Sequence, residues 1–392
     1  MKHLKNFTLI AVSTLFLTAC KKESKLFEDK ANLATEELSG KSNSENDDEF
    51  EGGNKHVYTL GNQTAGNKVL EYTRNNNGTL TYNTAYTTGG TGTGGGLGNQ
   101  GALIITQNDD EATLLAINAG SNSISSFKIT GNGLQLKSTV SCGGMRPVSV
   151  TQHDDVVYVL NAGGSGNISG FTLDDHKLIA IANSSRPLSS VTAGAAQISF
   201  VNDGKAVAVT EKATNKIITY TINASGTPGI MHSITSSSPT PFGFAVGNNG
   251  NIFVSEAVGG AAGASKLSSY HIAGNGVITA ANVPVGANQS AACWVVITNN
   301  GKYAYTTNTA SNNISAFNIN TQSGNINLHT AIAAVTGMGP IDAALNNNSK
   351  YLYILNSGSK SIGVYAVSNN GSLNAVQNVL GLPAGSTGMA AQ

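Results

Sequence analysis

The chain has 392 residues, 22 basic and 22 acidic side chains, and only 11% charged residues. So balanced and charge-poor a composition, with no basic stripe after residue 60, excludes a nucleic-acid-binding design. A hydrophobic content of 40% is enough for a real core, so the abundance of Gly (46), Asn, Ser and Thr does not signal disorder.

Residues 1–5 are short and basic, and residues 7–16 are apolar but too few to cross a bilayer as an ordinary helix. The segment ends Leu17-Thr18-Ala19-Cys20, which resembles a bacterial lipobox. That resemblance implies a signal peptide over residues 1–19 and a lipid on Cys20. The expectation is an exported protein held to the outer membrane, on its periplasmic or surface side, by that lipid alone. Nearly half of residues 20–55 are charged, which predicts a disordered tether, since so little apolar surface cannot offset the entropy of ordering. With Cys20 lipidated, Cys142 and Cys293 lie in non-adjacent repeats and read as small buried residues, not a disulfide. The seven His are scattered singly, so neither a metal nor any other cofactor is expected.

From residue 56 to residue 392 the pattern is all-β. Runs rich in Val, Ile, Tyr and Thr alternate with Asn-Gly and Asp-Gly turns such as Asn132-Gly133, Asp203-Gly204, Asn249-Gly250 and Asn300-Gly301. These dipeptides accept the positive φ that tight hairpins need. A phrase recurs: an apolar run ending in Asn, a small-residue turn, then Ile and an aromatic. Its Asn falls at Asn62, Asn118, Asn161, Asn308 and Asn356, with Glu211 and Glu256 at the two remaining positions. The spacing averages about 50 residues, in the range of propeller blades. Each unit holds four strand-like runs; in the third they are residues 147–152, 156–160, 167–173 and 177–182. The first unit lacks an inner strand, and residues 385–392 resemble the start of the others. The expected fold is therefore a seven-bladed β-propeller with four-stranded antiparallel blades, closed by the C-terminal strand. Residues 89–96 (GGTGTGGG) lack the Lys-Ser/Thr ending of a P-loop and read as a flexible connector between blades.

The phrases SFKITGNGLQL, SYHIAGNGVIT, AFNINTQSGNINL and VYAVSNNGSLN, together with the stretch from Pro340 to Asn356, resemble the repeats of the seven-bladed propeller lactonase family. That family includes bacterial 6-phosphogluconolactonase and 3-carboxymuconate lactonising enzyme; surface-layer-type YVTN propellers share part of the phrase. The resemblance implies hydrolysis or formation of a sugar or muconate-type lactone at one mouth of the central channel. It also implies a His-rich inner strand entering the fourth blade, but residues 193–200 read AGAAQISF: Gln197 and Phe200 match and the histidines are absent. Family acids are matched by Glu211 and Glu256.

Lactone hydrolysis needs an activated water and a partner for the developing oxyanion. The candidate catalytic set is Glu211 or Glu256 as base, with Arg186 and Arg146 binding an anionic substrate. The other reading of each Glu is an acceptor for turn backbone at a blade corner. Arg146, just before Pro147, is expected to point at the channel mouth. Gln100, Gln197, Trp294 and Asp342 are expected at inner-strand positions as a ligand-binding lining, and Asp342 is singled out because an acid there needs a partner. The expected partners are the membrane, through Cys20, and a small lactone or carbohydrate-like ligand. The chain is expected to be a monomer. A non-catalytic propeller that binds a glycan, peptide or protein is the alternative.

Overall fold

The structure, a computed structural model, describes residues 55–108 and 111–392. The signal-peptide, lipidation and tether expectations lie outside the described residues, Lys55 excepted. The described chain forms seven antiparallel sheets. Their inner strands are, in chain order, Leu103–Asn108, Met145–His153, Ala195–Val201, Pro241–Val246, Ala292–Ile297, Pro340–Leu345 and Thr387–Ala391. Each packs on the next around a ring, and Thr387–Ala391 closes it between Pro340–Leu345 and Leu103–Asn108.

The clasp is as expected. Thr387–Ala391 is the inner strand of the first blade and pairs antiparallel with His56–Leu60, followed outward by Lys68–Arg74 and Leu80–Thr87. The other blades run inner to outer in chain order. The third and fifth carry an extra short strand, Arg186–Pro187 and Val285–Gly286.

Second strands such as Ala206–Glu211 (AVAVTE) and Asn251–Glu256 (NIFVSE) are buried at every position. Neighbouring sheets cover both of their faces, so apolar or small residues replace the usual alternation. Outer strands are different: Ile326–Val335 and Pro228–Thr235 are buried only at their first residue and are exposed or half-buried beyond it. Blades are joined by recurring bonds. Tyr158 and Tyr305, on second strands, donate to the carbonyls of Gly226 and Gly371 in hairpin turns of the next blade, at 2.6 and 2.9 Å. Thr219 reaches Gly276 in the same way at 2.5 Å.

Candidate functional site

The face at which the inner strands begin, and where the repeated Asn and Glu sit, is called the upper face. There each second strand turns into the third. Asn118 donates to Ser125 at 2.8 Å, and Asn308 donates to Ser315 at 2.8 Å, the hydroxyl of the strand opposite. Glu256 keeps the partner and reverses the polarity: Ser268 donates to its Oε2 at 2.6 Å. Its Oε1 accepts from Ser236 Oγ (2.7 Å), Ser238 N (3.0 Å) and Tyr270 Oη (2.9 Å). Glu211 likewise accepts from Ser189 N at 2.8 Å, from Ser189 Oγ, and from Thr214 Oγ1 at 2.5 Å. Both carboxylates are fully buried. Each ties the loop entering its blade to the corner, which is what the backbone-acceptor reading of the sequence describes. Neither is among the lining residues of the channel cavity.

Arg186 is also remote from the channel. Its guanidinium donates to the carbonyls of Asn183 (2.9 Å), Ser185 (2.8 Å) and Pro228 (2.6 Å), the last on the outer strand of the fourth blade. It stitches the flank between the third and fourth blades. Glu211, Glu256 and Arg186 thus sit at three separate places, the two carboxylates each bracing a blade corner and the guanidinium stitching a flank.

The channel itself holds a cavity of about 450 Å³. It runs from Gln100 and Gly101 beneath the upper face to Gln107 and Gln152 near the far ends of the inner strands. Gln100, Gln197 and Asp342 of the expected lining meet here, joined by Thr106, Thr151 and Ser199. Asp342 is the only ionisable side chain among the described lining residues. It is 2% exposed; Oδ1 accepts from Ala343 N at 2.8 Å, and the backbone of Gly388, in the clasp, also bonds the carboxyl. Oδ2 has no partner among the described residues. Burial drives the Asp342 pKa well above the ordinary carboxylate range, against the two backbone bonds that lower it.

The two glutamines are less free than expected. Gln197 accepts from Phe244 N at 2.6 Å and donates to Phe244 O at 2.9 Å. Gln100 does the same with Val295 N (3.1 Å) and O (2.8 Å). Gln100 also precedes its inner strand instead of lying on it, and it reaches Val295 across the channel from the second blade to the sixth. Trp294 is buried, its ring centre 5.1 Å from that of Phe242 with the planes tilted by 53°, and donates Nε1–H to Asn99 O at 2.5 Å. The connector of residues 89–96 is fixed, not flexible: Gly92 N and Gly94 N donate to Gln63 O and Asn62 O, and Asn62 Nδ2 donates to Gly95 O, at 2.7–2.8 Å.

Lys212 was missed in the sequence because a lysine after a strand reads as solvated. Its Nζ donates to Gly98 O and lies 4.5 Å from the Phe242 ring centre. Burial, then the nearby charge of Arg146, pulls its pKa down to about 8, while Cys293 opposes the shift. Arg146, exposed and at positive φ, lies at the start of its inner strand on the upper face. Two further depressions, of about 240 and 770 Å³, lie among hairpin turns on the lower face, and no lining residue of either has an unpartnered buried polar atom.

The sequence model of the family described as "Lactonase, 7-bladed beta-propeller" matches residues 21–178 and 264–388. The chain belongs to this family. The unmatched stretch contains Glu211, Glu256 and the strand where the family histidines are absent, so the lactonase propeller departs from its family where the corner carboxylates lie. Among solved structures, the lactonase fold is shared with a protein named as a 6-phosphogluconolactonase from Bacteroides uniformis, 18% identical over 86% of this chain and 99% of that one, TM-score 0.66. A protein of the same name from Bacteroides fragilis is 15% identical over 86% and 97%, TM-score 0.65. The periplasmic gluconolactonase of Pseudomonas aeruginosa is 14% identical over 84% and 98%, TM-score 0.63. No curated protein matches the sequence.

Proposed function

We propose that this lactonase-family propeller is an exported hydrolase of a neutral sugar lactone, with Asp342 as its proton-transfer group. What supports this is the unpartnered Oδ2 of a buried acid in a cavity otherwise lined by amides, hydroxyls and aliphatic side chains. A carboxyl kept neutral by its surroundings donates a hydrogen bond to a carbonyl or ring oxygen. In the hydrolysis, the water oxygen bonds to the lactone carbonyl carbon and the ring C–O bond breaks. The departing ring oxygen takes the Asp342 proton, and the proton shed by the added water restores the carboxyl. Ser199 and Thr106, on the inner strands of the fourth and second blades, add hydroxyls to the lining of the same cavity. A phosphorylated or otherwise anionic lactone would meet an acid and no cation among the described lining residues, which disfavours it.

The test is a pH-stat assay of the purified full chain with glucono-δ-lactone, a γ-lactone and their anionic counterparts. Neutral lactones are expected to turn over, with a loss on the order of 10²-fold in Asp342→Asn and little change in Glu256→Gln. Unchanged turnover in Asp342→Asn would sink the assignment. One observation favours the alternative, a non-catalytic sugar-binding channel: Gln100 and Gln197 spend their amides on backbone, leaving no ready donor for an oxyanion. Saturable binding of sugars or lactones without turnover is its signature.

The export reading also belongs to this proposal and rests on Leu17-Thr18-Ala19-Cys20. Metabolic labelling with a fatty-acid analogue is expected to mark the wild type and not Cys20→Ser. Equal labelling of both would remove Cys20 as the anchor.

A further inference from the structure

A ring of seven inner strands leaves an axial hole with two ends. Here residues 97–101 cross the upper end, and successive peptide groups of that segment are each held by a different part of the ring. Gly98 O accepts from Lys212 Nζ and Asn99 O accepts from Trp294 Nε1. Gln100 N donates to Ala196 O at 3.2 Å, and Gly101 O accepts from Val150 N at 2.9 Å. Two side chains add latches: Asn99 Nδ2 donates to Val148 O, and the Gln100 amide takes both backbone groups of Val295 as a neighbouring strand would. A Cβ on Gly243 would stand 2.0 Å from Gln100 Oε1 and 2.6 Å from Cys293 O, so the ring is close-packed where the segment crosses. Leu97, Asn99 and Gln100 are all buried. Above the segment stand Lys212 and Arg146, and neither belongs to an ion pair among the described residues. Below it lies Asp342.

We propose that residues 97–101 are a built-in plug that makes the channel blind at its upper mouth, so that ligand reaches Asp342 only through the lower face, and that the plug sets charge preference by walling off Lys212 and Arg146 from the cavity. With the plug in place the ligand meets one acid and no cation. With it displaced, cavity and cations become continuous, and an anionic ligand gains two attractive partners. The charge-preference clause rests on the neutral-lactone reading; the plug does not.

The sole tryptophan, Trp294, reports the plug directly, because its indole N–H is bonded to Asn99. In the wild-type full chain the amide of Gln100, which donates to Ala196 O, is expected to exchange with solvent as slowly as those of Leu103–Asn108, and acrylamide is expected to quench Trp294 poorly. Exchange as fast as that of an exposed turn would overturn the plug without any variant being made. Gln100→Ala removes the Val295 latch and is expected to raise Trp294 quenching several-fold. It should also shift discrimination between glucono-δ-lactone and its 6-phosphate by about tenfold toward the phosphate, read as relative Kd or kcat/KM. A folded Gln100→Ala protein with unchanged quenching overturns the latch. Raised quenching with unchanged discrimination overturns the charge-wall role alone. If neither lactone binds the wild type, the neutral-lactone reading and the charge-wall clause that rests on it fail together, and the exchange and quenching results still decide the plug.

Discussion

Three of the four buried carboxyls among the described residues show how partners, not burial, decide a residue's part. Glu256 accepts four hydrogen bonds and serves the corner of its blade. Glu71, in the first blade, accepts from Tyr58, Asn83 and Tyr86 at 2.7–3.2 Å and lies 3.3 Å from His56 Nδ1. Asp342 has one oxygen without a partner, and it alone lines the channel. Glu256→Gln replaces one acceptor oxygen with an NH2 donor among four donors, so it is expected to cost about 2–3 kcal/mol of stability, read by urea denaturation, without altering ligand binding. For Asp342 the sign runs the other way. Its pKa is raised in the folded state, so folding takes up a proton between the ordinary carboxylate range and the folded value. Stability is therefore lost as pH rises through that window. Asp342→Asn should flatten the dependence and raise the melting temperature at neutral and alkaline pH; an unchanged pH profile would mean the carboxyl is ionised in the fold. Lys212, depressed to about 8, adds stability as pH rises from about 8 toward its unfolded value near 10.4.

Among the elements, the C-terminal strand is the one whose loss should be felt most. Thr387–Ala391 pairs with His56–Leu60, packs against the first and last of the other inner strands, and buries Met389 and Ala390. Deleting residues 387–392 leaves the ring open and the first blade without its inner strand. The lost burial and pairing amount to several kcal/mol, and a fall in melting temperature of about 10 °C or more is expected by calorimetry. An unchanged melt would mean the ring closes without its clasp. The inner strands also explain the two glutamines. Channel-facing backbone has no neighbouring strand to bond, and a Gln amide, with one donor and one acceptor, supplies what a strand would.

Across the whole molecule, a Gly in six of the seven outer hairpins is where one blade touches the last; the third blade turns through Asp175-His176 instead. A Cβ on Gly371, at φ +81°, would lie 2.5 Å from the Tyr303 ring of the sixth blade. A Cβ on Gly78, at φ +84°, would lie 2.1 Å from the Tyr351 ring of the seventh, across the closure. Gly371→Ala and Gly78→Ala are each expected to cost about 2–3 kcal/mol, since strain at positive φ adds to overpacking at a seam. Equilibrium urea melts check it, and losses below about 0.5 kcal/mol would mean the seams yield freely.

The repeated phrase was enough to give seven blades, their order, the clasp and the corner positions of Glu211 and Glu256, because strand periodicity and turn chemistry are local properties of the chain. It also marked Asp342 as an acid on an inner strand. The partners of those acids were not legible, since they come from residues such as Ser189, Ser236 and Ser268 that look alike in sequence and differ only in where the loops bring them. The same holds for the upper mouth. A glycine-rich connector carries no signal that its end will cross the axis, and Lys212, Trp294 and Val295 become its partners only when distant blades are brought around one ring. Local patterning determined the architecture; the closure of the ring decided which polar groups are spent on the fold and which one, Asp342 Oδ2, is left facing the channel.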